Sequence, residues 1–327
     1  MPNYSDLELE YNNLVIPQIN NFMQTNKNNN QNYINSEVAN IQRRCVNSIR
    51  IKYLTNLANY TDRNLIVYYS TWLHNANLNS PNPELMINDN DMNGFMNAVY
   101  NLDKNKGLDL IIHTPGGVTT ATEALVNYLR KSFKDIRVIV PHMAMSAGTM
   151  IACSANTIIM GKQSSLGPVD PQYRNVPAEG VLDEFNRAIK ETTQNPQKAL
   201  IWREIIGQYR PTFIGECANA VELSRNLIEN WLKTGMFAKS RNKVKRTTKI
   251  VDELTSHSSS KMHDKHFDCV ACKKMGLKVF EMESNQQLQD AILAVHHSYV
   301  LSSYVISNSI KYIENNKGQS FIVSGKR

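Results

Sequence analysis

The stretch Arg137–Gln172, RVIVPHMAMSAGTMIACSANTIIMGKQSSLGPVDPQ, constrains the fold of this chain more than any other. Its order of residue types reads as strand, tight turn, short helix, strand and loop. Val138, Ile139 and Val140 form a β-branched run suited to a buried, pleated surface. Pro141 has no N–H to donate and ends regular pairing. Ala144, Ser146, Ala147 and Gly148 are small, so another group can approach the backbone closely. A helix is expected from Thr149 to Ala155, and a second buried strand over Thr157–Met160 before Gly161. A serine at such a strand-to-helix turn is exposed at the sheet edge, with unsatisfied amides beside it. That arrangement suits a nucleophile. It equally suits a serine that merely caps the helix.

The preceding stretch repeats the pattern. Leu108–Thr114, LDLIIHT, reads as a buried strand and runs into Pro115-Gly116-Gly117. Two glycines after a strand permit positive φ and expose backbone amides. Thr120 and Glu123 have capping-box spacing. Ala121, Ala124, Leu125, Tyr128 and Leu129 fall on one helical face. The order strand, glycine turn, helix, strand, serine turn, helix, strand implies a parallel sheet with both turns at the carboxyl ends of its strands. The Gly117 amide can then stand near Ser146 and form an oxyanion hole with the Ala147 amide.

The segments HTPGG (His113–Gly117), AMSAGTMIA (Ala144–Ala152) and MGKQSSLGPVDPQ (Met160–Gln172) together resemble the serine dehydrogenase proteinase family. That family lies within the ClpP/crotonase superfamily and is related to signal peptide peptidase A. The resemblance runs from about Asn64 to Gly325. It implies an α/β, ClpP/crotonase-like fold of repeated ββα units with additional N- and C-terminal helices. It also implies Ser146 as nucleophile, oxyanion donors at Gly117 and Ala147, proteolysis without an energy source, and a homo-oligomer. Despite the family's name it implies no NAD chemistry, and no cofactor is expected.

The general base is harder to place. A ClpP-like arrangement puts a histidine roughly two dozen residues after the serine, but no histidine occurs between Ser146 and His257. An arrangement like that of signal peptide peptidase A uses a lysine further on, which points to Lys190 or Lys198. A lysine base must be neutral, through burial. Lys190 lies near the end of a helix marked by Val181, Leu182, Phe185 and Ile189, where an exposed surface lysine is the plainer reading. His263 is a third candidate. Ser164 and Ser165 are placed to orient the base by analogy with the superfamily.

The other segments supply architecture. Leu7–Met23 and Ser36 to Tyr60 are expected helices, joined by the Asn-rich run at Asn26–Asn32. Asn64–Ser70, NLIVYYS, is the expected first strand. By the family resemblance the loop Asn75–Asp89 flanks the active site and is expected to contribute to a substrate groove; Asp91 is expected to cap a helix carrying Phe95, Met96, Val99 and Tyr100. Helical stripes follow at Leu200, Ile201, Ile205 and Tyr209, and from Ile214 to Leu232 before Gly235. Leu288–Ile313 is expected to be one long helix with a near-heptad rhythm, and Ser320–Ser324 a short strand. Three domains follow: an N-terminal helical extension (1–60), a catalytic domain (61–283) and a C-terminal packing or oligomerisation element (284–327).

Two stretches carry competing signals. Arg241–Lys249, RNKVKRTTK, is basic but lacks interleaved aromatics, so a solvated loop is expected. In HDKHFDCVAC, His263, His266, Cys269 and Cys272 are all zinc-ligand types. Their three-residue spacing drifts around a helix, and no distant second half closes a fold around a metal. No metal is expected there.

With 327 residues, 42% of them hydrophobic, the chain can bury a large core. A net charge of +7 is too modest to indicate nucleic acid. Five cysteines, an odd number, suggest reduced thiols in a cytosol-like compartment. No apolar run approaches membrane-spanning length, and MPNYSDLELEYNN lacks a signal-peptide core. The expectation is a soluble cytoplasmic serine peptidase acting on peptide or protein substrates, without nucleic-acid or membrane partners. The alternatives are a catalytically silent peptide- or partner-binding protein and an ester or thioester hydrolase on the same fold.

Overall fold

The computed structural model describes residues 3–27, 29–74, 82–173, 176–255 and 265–325. Two long helices come first, α1 (Tyr4–Thr25) and α2 (Gln31–Thr61). The asparagines around them serve helix ends. Asn3 and Asp6 form a reciprocal capping box on α1, and the Asn30 side chain accepts from Asn32 N at the start of α2. Leu7, Tyr11 and Val15 of α1 pack with Ile41, Cys45 and Ile49 of α2.

The sheet then builds in alternation with helices: β1 (Asn64–Ser70), α3 (Asp91–Val99), β2 (Leu108–His113), α4 (Thr119–Ser132), β3 (Ile136–Val140), β4 (Met143–Ala144), α5 (Ala147–Ser154), β5 (Thr157–Met160) and β6 (Ser165–Leu166). A small hairpin, β7 (Gln172–Tyr173) and β8 (Val176–Pro177), leads into α6 (Ala178–Gln194), α7 (Ala199–Ile206), α8 (Phe213–Thr234) and α9 (Lys243–Thr255). The chain finishes with α10 (Cys269–Met275), β9 (Val279–Glu281), α11 (Gln286–Val305), β10 (Ser309–Asn315) and β11 (Ser320–Ser324).

Seven strands form the main sheet in the order β11-β10-β1-β2-β3-β5-β9. The run from β1 to β9 is parallel, with Leu110 beside Val138 and Val138 beside Ile158. The edge pair β10 and β11 is antiparallel. Every residue of β1 and β2 is buried, as central parallel strands covered on both faces should be. One face carries Ile66, Tyr68, Leu110, Ile112 and Val138 against Leu125, Met150, Ile228 and Trp231. The other carries Val67, Tyr69, Ile111 and Ile139 against Leu57 of α2 and Ile292, Val295 and Tyr299 of α11. This period-two division places β2 and β3 so that their carboxyl ends open side by side.

Four expectations are corrected. The long helix to Ile313 stops at Val305, and Ile310 and Ile313 lie in β10. The edge of β1 offers the backbone of β10 a full ladder, and that pairing overrides the heptad rhythm. The basic stretch 241–249 mostly opens α9 rather than a loop, because Thr247, Ile250, Val251 and Leu254 bury its inner face. Thr120 and Glu123 make no capping box, since α4 starts at Thr119 behind Val118, which has no capping side chain. Asp91 does not cap α3; its carboxylate points into the core toward Lys311.

Candidate active site

The two turns at the ends of β2 and β3 are laced together by backbone bonds. Thr114 N donates to Met143 O at 3.1 Å, and Met145 N to Thr114 O at 3.0 Å. Gly116 has φ 117° and Gly117 φ 157°. A Cβ on Gly116 would stand 2.8 Å from Ser146 Cβ, and one on Gly117 would stand 2.2 Å from Ile87 O. Only glycine lets the loop sit between these neighbours. Ile87 clasps it from the far side, with Ile87 N donating to Gly116 O at 2.8 Å and Val118 N to Ile87 O at 2.9 Å. The Gly117 amide between these bonds has no acceptor among the described residues.

Ser146 occupies the turn into α5 at φ 50° and ψ −111°, a backbone region costly for any side chain. Although it stands at the N-cap position, its side chain makes no capping bond. The capping role therefore does not account for this serine. The Ala147 amide has no acceptor among the described residues, whereas Gly148 N donates to Met145 O at 2.8 Å. Gly148 leaves no room for a Cβ, which would lie 2.6 Å from Thr114 Cγ2. Thr149 Oγ1 lies 2.9 Å from Ala144 O and 2.8 Å from Gly167 O, and accepts from Gly167 N at 3.0 Å. That hydroxyl pins the serine turn to the following loop. Within the loop, Ser164 Oγ donates to Val140 O at 2.5 Å and Ser165 Oγ meets His266 Nδ1 at 2.9 Å.

Ser146 and Gly117 open onto a cleft of about 340 Å³. Pro83, Met86, Ile87 and Asn88 form one wall, in the described part of the loop expected to flank a groove. Val169, Pro171 and Gln172 form another. Ser224, from α8, also lines the cleft, and its hydroxyl is buried without a partner among the described residues. None of the described lining residues is acidic, basic or a histidine.

The first wall is held from below by a buried ionic group. Lys311 Nζ reaches Asp91 Oδ1 at 2.7 Å and donates to Met86 O at 2.8 Å. Asp91 Oδ2 accepts from Tyr68 OH at 2.9 Å and from Asn88 N at 3.1 Å. Burial moves both charged groups toward neutrality, Asp91 upward and Lys311 downward, and each resists the shift of the other. The sequence reading missed this group. Lys311, set between Ile310 and Tyr312 in SIKYIEN, was its visible trace.

The structure thus brings Ser146, Gly117 and Ala147 together. It does not bring the lysines to them. Lys190 is exposed on α6 and does not line the cleft. Lys198 is exposed and pairs with Glu191 at 3.2 Å. His263 lies outside the described residues. In the stretch with zinc-ligand residue types, Cys269 and Cys272 are buried in the core, where burial raises both thiol pKa values, and His266 is engaged by Ser165. All five cysteines are free thiols.

Residues 41–292 match the ClpP-like SDH-type serine proteinases. The chain belongs to that family. Two uncharacterized proteins of Methanocaldococcus jannaschii are among its relatives. One is 32% identical over 189 residues, which are 58% of this chain and 59% of that protein. The other is 40% identical over 97 residues, 30% of this chain and 33% of that protein. The chain thus matches less than two thirds of the length of either relative. Family membership accords with the mostly parallel sheet and the paired turns at its carboxyl edge. Among the described residues, no helix is long and apolar enough to cross a membrane.

Proposed function

We propose that the protein is an ATP-independent serine peptidase that acts on peptide or protein substrates. Ser146 Oγ attacks the scissile carbonyl carbon and passes its proton to a base. The Gly117 and Ala147 amides receive the developing oxyanion. Collapse of the tetrahedral intermediate returns the proton to the leaving amine, and water then releases the acyl group. The observation that carries this reading is the strained backbone of Ser146 at a cleft, beside two amides that have no acceptor among the described residues.

Of the three candidate bases, Lys190 and Lys198 do not line the cleft, and His263 is the one left to test by substitution. The residues on either side of its segment are tied to the cleft loop. Val169 N donates to Leu254 O at 2.8 Å, and Leu166 exchanges bonds with Phe267 at 2.9 and 2.8 Å. The exposed Ile189, Leu200 and Ile201 (66%, 72% and 65% exposed) support an assembly of several copies, packed through the α6–α7 arm.

A fluorophosphonate serine probe with mass mapping tests the nucleophile. Labelling at Ser146 that vanishes in Ser146→Ala, and slows at least about 100-fold in His263→Ala but not in Lys190→Ala, is expected. A second reading, a silent peptide-binding protein, is favoured by the lack of ionisable groups among the described cleft residues. It predicts no labelling of the folded protein.

A further inference from the structure

The other face of the sheet holds a second opening at the same carboxyl edge. It has a volume of about 490 Å³, within the range of small-molecule sites. Rings form most of its wall: His113, His142 and His296, with Tyr69, His74 and Tyr304 around them. His113 is stacked against Tyr69 at 4.3 Å between ring centroids and tilted against Trp72 at 4.2 Å. The centroids of His113, His142 and His296 stand 5.7 to 5.9 Å apart.

The tautomer of His113 follows from the partner of its Nδ1. His113 Nδ1 lies 3.0 Å from the Ser70 carbonyl oxygen, which can only accept. Nδ1 therefore carries the hydrogen, and Nε2 keeps a lone pair in the neutral ring. The residue is 1% exposed, and Nε2 meets no partner among the described residues. An unpaired acceptor at such depth costs free energy that a donor would recover. Burial lowers the pKa of His74, His113 and His142, and takes His296 down to about 3, so these rings stay neutral near pH 7. No Asp, Glu, Lys or Arg is among the described lining residues. A charged ligand would therefore enter without a counter-charge. Among the described residues, no three His, Cys, Asp or Glu side chains are placed to share a metal ion.

We infer that this pocket binds a small, uncharged aromatic molecule bearing an O–H or N–H group, which it donates to His113 Nε2. The ligand ring lies among the imidazole and phenol rings, where offset or edge contacts are favourable. The site is separate from the serine cleft, although both use the turns that follow β2 and β3.

Fluorescence titration with 2-naphthol and its methyl ether, 2-methoxynaphthalene, tests the inference. The two share a ring system and differ in the donor. Saturable binding of 2-naphthol, at least about fivefold tighter than the ether, is expected for the intact protein. In His113→Phe the preference between the two collapses to near unity. Because that variant also strips the Ser70 carbonyl of its donor, Leu73→Trp provides a second arm. Leu73 stands on the rim at 42% exposed, and a larger ring there blocks the pocket and weakens both ligands at least about tenfold without entering the core. Equal affinities for the two compounds in the intact protein would overturn the inference. So would no saturable binding of 2-naphthol, or binding untouched by Leu73→Trp.

Discussion

Ser146 holds its φ of 50° only because its surroundings force it there, and that strain is a measurable quantity. Replacing it with glycine removes the steric cost while leaving the turn intact. Ser146→Gly is expected to raise stability by about 1 kcal/mol and to abolish probe labelling. Chemical denaturation alongside labelling checks both halves, and a destabilised glycine variant would contradict the strain argument. Gly117 makes the opposite case. The Cβ of Gly117→Ala would overlap Ile87 O, so the clasp must open and the amide leaves its place. Labelling at Ser146 should slow at least about 100-fold even if the protein folds.

At the scale of elements, the cleft wall depends on a strand far away in sequence. Lys311 of β10 holds Met86 O and Asp91, and Asp91 holds Asn88 N. Between Met86 and Asn88 sits Ile87, which clasps the glycine loop. Lys311→Met leaves the Asp91 carboxylate buried without its cation, an effect of roughly 3–5 kcal/mol. Adding Asp91→Asn removes the stranded charge and should restore part of that loss. A double variant no more stable than Lys311→Met would show that the pair does not act as a unit. Arg50 of α2 and Glu314 of β10 form a similar buried pair at 3.0 Å, fastening the N-terminal helices to the same strand.

For the whole molecule, the buried imidazoles between sheet and helices predict acid sensitivity. An unfolded histidine takes up a proton near pH 6.5, whereas folded His296, desolvated by burial, does so only at about 3. Between these values the unfolded chain binds more protons, so stability rises with pH. The contribution is complete above about pH 6.5 and is lost as the pH falls toward 3. His74, His113 and His142 shift in the same direction, and no described carboxylate lines their pocket to reverse it. Denaturation midpoints should fall from pH 7.5 to 5.5, before ordinary carboxylates titrate, and His296→Phe should flatten that slope. A pH-independent midpoint over this range would refute the assignment.

Local chemistry determined much of this protein. The β-branched run at Val138–Val140, the two glycines after His113 and the small residues around Ser146 each dictate their conformation through sterics alone. Strand, turn and helix there, and the pairing of Gly117 with Ser146, were therefore legible in the sequence. The fate of Leu288–Ile313 was not. Its seven-residue rhythm suits a helix, and only the free edge of β1, brought there by the fold, offers Ile310–Ile313 the ladder that makes them a strand. Lysine bases also read plausibly on spacing, yet exposure is a property of the packed molecule, and packing left Lys190 in water. The Lys311–Asp91 pair and the histidine pocket join residues some 180 to 220 positions apart. Such contacts carry no local periodicity, so only tertiary structure could decide them.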